Sequence, residues 1–122
     1  MKLGITDKKL WGNDFYKKLK SFGFDYVDYG MSDTTTVPYT YNEKDFEAYL
    51  ENEKKLANEA GITIWQVHGP WRYPVSDGTE EERAERMEKM KRSIHGAAIL
   101  GAEYWVIHPI MPLGTENTNQ YL

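Results

Sequence analysis

Two hydrophobic rhythms alternate along the chain. Four short, dense runs, residues 2–6 (KLGIT), 24–29 (FDYVDY), 62–68 (ITIWQVH) and 104–109 (YWVIHP), are rich in β-branched and aromatic residues and predict buried strands. Between them, apolar residues return every third or fourth position, the period of an amphipathic helix. Behind Asn13 as a cap, Phe15, Leu19 and Phe22 share one face of a predicted helix over 14–22, with lysines opposite. Behind Asn42, a second helix gathers Phe46, Tyr49, Leu50, Leu56, Ala57 and Ala60. Thr79 and Glu82 have the spacing of a capping box. They open a third helix that runs to Leu100, with Ala84, Met87, Met90, Ile94, Ala97 and Ala98 on its predicted apolar side.

A glycine closes each helix, in SFGFDYVDY, NEAGITIWQVH and ILGAEYWVIH, and a strand follows at once. This is a weak internal repeat of a βα unit. Strict alternation predicts the α/β class with a parallel sheet, because parallel neighbours need a crossover and the right-handed crossover dominates. The polar stretches 30–41, around Pro38, and 69–78 are expected to be loops, as is the tail 110–122. Four strands with three helices can form an open doubly wound sheet or the first half of a (βα)8 TIM barrel, whose full length is about 250 residues. The chain reads as a single domain over residues 1–122, a partial barrel if the barrel alternative holds.

Composition narrows the chemistry. The 122 residues are 40% apolar and 28% charged, enough for one modest core. No run approaches the ~20 apolar residues that cross a bilayer, and the N-terminus lacks the apolar segment of a signal peptide, so a cytoplasmic location is expected. With no cysteine, disulfides and thiolate metal sites are excluded, and any metal must rest on His, Asp, Glu and other oxygen donors. A net charge of -4 argues against a nucleic-acid partner, whose phosphate backbone calls for a positive face. The mixed-charge run EEERAERMEKMKR reads as a solvated helix face.

The histidines carry the functional signal. His68 and His108 each end an apolar run just before a Gly-Pro or Pro break, which places both at carboxyl ends of strands, where parallel α/β folds collect ligands. Asp28 and Asp7 are the nearby strand-end carboxylates. Alternation puts Gln66 and Ile64 on the face of His68, with Trp65 and Val67 opposite, and puts Val106 and Tyr104 on the face of His108. Imidazole serves as a ligand for Zn, Mn, Fe or Co and as a general acid or base near neutral pH, so the pair forms half a site. The plain alternative is that each histidine bonds a backbone carbonyl and caps the core. Trp71, Arg72 and Tyr73 follow the first histidine and can stack on a sugar or hold an anion, or simply pack as an aromatic lid. His95 reads as a helix-flank residue. Neither GxGxxG, GxxxxGK, GxSxG nor HExxH occurs.

Taken in order, KLGIT, GFDYVDY, QVHGP and GAEYWVIHP resemble the N-terminal half of the xylose-isomerase-like TIM barrels, the sugar phosphate isomerase/epimerase superfamily, over essentially the whole chain. The resemblance implies a sugar or sugar phosphate substrate, proton abstraction next to a carbonyl, and a divalent metal (Mn, Co, Mg or Zn) held mostly by residues of strands five to eight, which this sequence does not contain. It implies that His68 and His108 are catalytic and that Trp71, Asp28 and Gln66 contact substrate. Asp28 stands where many members carry glutamate. In endonuclease IV-like members the equivalents of His68 and His108 bind zinc, which makes a zinc phosphodiesterase the alternative, beside a noncatalytic domain with structural histidines. Four βα units alone imply negligible turnover, and their exposed edges imply self-association or pairing with the missing half of the barrel.

Overall fold

The computed structural model describes residues 1–6, 14–71 and 79–108. The elements follow as β1 (Gly4–Thr6), α1 (Phe15–Ser21), β2 (Tyr26–Gly30), α2 (Val37–Thr40), α3 (Glu43–Glu59), β3 (Thr63–His68), α4 (Glu80–Leu100) and β4 (Tyr104–Val106). The four strands form one sheet in the order β1-β2-β3-β4, and every pairing is parallel. Sequential parallel strands with crossovers through helices are the arrangement of one half of a (βα)8 barrel, as expected.

Local chemistry explains the boundaries. Asn42 Oδ1 accepts the Asp45 N–H at 2.9 Å to start α3, and Thr79 with Glu82 completes a reciprocal capping box at α4. Gly23, Gly61 and Gly101 all adopt positive φ at the helix ends, where an L side chain is strained. Asn13, the expected cap of α1, lies outside the described residues, as do Asp7, Arg72, Tyr73 and the tail from Pro109. The expected loop 30–41 contains a single helical turn, α2, which begins at Val37 with Pro38 in its first turn.

One face of the sheet is closed. Val27 and Tyr29 of β2 and Ile64 and Val67 of β3 join Leu19, Phe46, Leu50, Ala57, Ala97 and Leu100 from the helices in a single core. At about 25 cal/mol per Å2 of apolar surface removed from water, this face supplies the main folding drive. The opposite face is open. Tyr26, Trp65 and Tyr104 form a ladder across three strands, with ring centroids 5.5 and 5.1 Å apart, while Trp65 and Tyr104 remain 45% and 49% exposed.

Phe22, expected on the buried face of α1, is its C-cap and 62% exposed, and two further patterning expectations fail for identifiable reasons. Ile64 pairs with Val27 and Gln66 with Asp28, so Trp65 is an extra residue in the ladder. This irregularity shifts the alternation: Ile64 turns to the helical core, whereas Trp65 joins Gln66 and His68 on the open face. In α4, Met87 and Ile94 are about half exposed and Ala84 and Ala98 exposed; the buried line is Arg86, Ser93, Gly96, Ala97 and Leu100. Ser93, Gly96 and Ala97 in the middle of that line are small, and α4 lies close against its neighbours there. A Cβ on Gly96 would come within 3.0 Å of Leu50 Cδ1 and Met31 Sδ.

Candidate functional site

Each strand brings one or two side chains to the open face near its carboxyl end. Thr6 lies at the end of β1 and pairs with Asp28 of β2. Asp28 pairs with Gln66, and Gly30 with His68. His68 pairs in turn with Val106, two residues before His108.

These side chains meet. Asp28 Oδ2 is 3.0 Å from His68 Nδ1 and accepts the Thr6 hydroxyl at 3.3 Å. The imidazoles of His68 and His108 have centroids 4.7 Å apart, and the Trp71 ring stands edge-on to His108 at 4.4 Å. Asp28, His68 and His108 are partly buried, whereas Trp71 is exposed. Gln66 lines a shallow recess of about 270 Å3 on the same face with Tyr26, Asp28 and Trp65. In this cluster, Asp28 Oδ1 and His108 Nε2 are buried with no hydrogen-bond partner among the described residues. Burial, then the positive charge that His68 can carry, lowers the pKa of His108 from the ordinary imidazole value. Both causes favour the neutral ring of His108.

Backbone contacts between the loops fix this cluster. The Met31 N–H donates to the His68 carbonyl at 2.9 Å, Gly69 N–H to Val106 O at 2.9 Å and Trp71 N–H to Ser32 O at 2.8 Å. Gly69 is required here, since a Cβ would lie 2.7 Å from Val106 O and 2.8 Å from the Trp105 ring. The segment after β2 is held from outside by Arg92, whose Nε donates to Pro38 O at 2.6 Å and whose Nη1 meets Glu43 Oε2 at 3.2 Å. Tyr39 OH donates to Met31 O at 2.7 Å. The sequence thus points to Asp28, Gln66, His68, Trp71 and His108, all of which share this region. It misses Thr6, whose position at a strand end beside a carboxylate was a usable signal, and Gly69, whose role appears only once β4 is placed.

The donor set bears on metal binding. Among the described residues, the group of three carboxylate or imidazole donors lying within 4.8 Å of one another is Glu43, Glu47 and His95, on exposed positions of α3 and α4. Those atoms could hold an ion, but they already pair: His95 Nε2 lies 3.2 Å from Glu47, and Glu43 meets Arg92. His95, expected as a helix-flank residue, takes part in this cluster. Asp28, His68 and His108 do not close into such a group, and Asp28 Oδ2 is engaged with His68. The strand ends offer two imidazoles and a carboxylate oxygen, a partial set of ligands rather than a complete one.

Comparison with known proteins agrees with this geometry. The crystal structure described as a "Putative Xylose isomerase" from Rhodospirillum rubrum superposes with a TM-score of 0.65 at 20% identity, over 86% of this chain and 38% of its own. The chain therefore spans well under half the length of that protein. No curated protein matches the chain. The described helices include none long and apolar enough to cross a membrane. A family model, the xylose isomerase-like TIM barrel, matches residues 16–121 and takes in β2, β3 and β4 with the Asp28, His68 and His108 that they present; the chain belongs to that family.

Proposed function

We propose that the chain forms part of a cytoplasmic, divalent-metal-dependent sugar or sugar phosphate isomerase or epimerase. The single observation that supports this most is the meeting of Asp28, His68, His108 and Trp71 at the carboxyl ends of adjacent parallel strands, where barrel enzymes build their sites. His68 and His108 are the proposed proton-handling groups for abstraction next to a carbonyl, Trp71 covers a sugar face, and Asp28 and Gln66 accept or donate to its hydroxyls. A divalent ion, Mn, Co, Mg or Zn, would stabilise the enediolate. Because the described strand ends supply only a partial ligand set, most of its ligands would come from further βα units. On that account the four units alone turn over no sugar at a useful rate. The open aromatic face and the edge positions of β1 and β4 among the described strands support association with such units, in another copy or in the rest of a barrel.

Chemical-shift mapping tests this reading. Titrating a panel of aldoses, ketoses and their phosphates, with Mg, should perturb the His68, His108 and Trp71 side-chain signals together. A panel that moves none of the three, together with no metal-dependent turnover once the chain is joined to four further βα units of a family member, overturns it.

A further inference from the structure

The direction of the Asp28–His68 hydrogen bond determines which imidazole nitrogen is available. Asp28 Oδ2 lies 3.0 Å from His68 Nδ1, and the Thr6 hydroxyl donates to the same oxygen at 3.3 Å. A carboxylate only accepts, so the nitrogen that faces it carries the proton. A free neutral histidine side chain favours the other tautomer, with the proton on Nε2. The His68 backbone is fixed by its pairing with Gly30 on β2 and by the Met31 N–H on the His68 carbonyl, which holds the ring beside Asp28.

We infer that Asp28 is a positioning residue that holds His68 in the Nδ1–H tautomer and leaves the Nε2 lone pair as the group presented at the strand ends. The bond that fixes one nitrogen of an imidazole sets the role of the other. Asp28 Oδ1 is itself buried without a hydrogen-bond partner among the described residues, so the acceptor presented to a ligand at this end of the site is His68 Nε2. The assignment deepens the proposed site but is independent of its activity, since it is read in the ligand-free chain; its failure would leave the isomerase reading untouched, and the reverse holds as well.

Long-range 1H–15N correlation spectra of the histidine side chains, recorded on the full chain at pH 8, distinguish the tautomers directly. His95→Gln and His108→Gln variants assign the three sets of signals. The expected wild-type pattern for His68 is a protonated Nδ1 and a lone-pair-bearing Nε2. Asp28→Ala should exchange the two, and Asp28→Asn, whose amide N–H can donate to Nδ1, should do the same. A carboxylate that merely supported the fold would lower stability without exchanging the nitrogens. A wild-type His68 protonated on Nε2 overturns the assignment even if Asp28→Ala does not fold, and so does an Asp28→Ala spectrum identical to wild type.

Discussion

The two faces of the sheet differ in what their residues accomplish. On the helical side, Val27, Tyr29, Ile64 and Val67 are buried against Leu19, Phe46 and Leu50, and this side holds the four βα units together. On the other side, Tyr26, Trp65 and Tyr104 stack on one another with Trp65 and Tyr104 about half exposed, and that side carries Asp28, Gln66, His68 and His108. Packing and chemistry are thus assigned to opposite sides of the same strands, by an alternation that the extra residue Trp65 interrupts once in β3.

The sharpest way to break this contrast is to truncate one large side chain on each face. Leu50→Ala, at a fully buried position, should cost about 2–5 kcal/mol in denaturant unfolding. Trp65→Ala removes a larger ring, but a half-exposed one held by two aromatic contacts, and should cost only about 0.5–1.5 kcal/mol. Equal losses would mean that the open face is as structural as the closed one. An intermediate effect is expected at the boundary between them. Gly69→Ala places a Cβ against Val106 O and the Trp105 ring and should cost about 1–3 kcal/mol, with shifts in the His68 and His108 signals that Leu50→Ala does not reproduce.

Much of this was legible in the sequence, and the failures are physical. The order of elements, the glycine stops, the capping box and the strand-end placement of Asp28, His68 and His108 follow from local rules, because caps, periodicity and breakers act within a few residues. The face of Trp65 does not, since the extra residue in β3 is visible only against the register of β2. The buried line of α4 was missed because Arg86, Ser93 and Gly96 lack apolar character. Ser93 is buried instead through its hydroxyl, which donates to Met90 O at 2.8 Å and accepts from Trp105 Nε1 at 3.0 Å. Nor does any sequence period announce that Arg92 clamps the segment after β2; that contact depends on the docking of α4 beside α3.

The central claim is that the separate strand ends make one coupled site, and His108 reports on it. Its pKa is lowered by burial and then by His68, so the folded chain favours the neutral ring. Between that lowered value and the unfolded value of about 6.5, the unfolded chain binds more protons; the resulting stability is complete above about 6.5 and is lost as pH falls through the folded value. The most direct measurement is the NMR pH titration of His108 in the wild type and in His68→Ala. The account predicts a wild-type midpoint below about 6.5 that moves upward when the His68 ring is removed. A midpoint at the ordinary value, unchanged by His68→Ala, would contradict it.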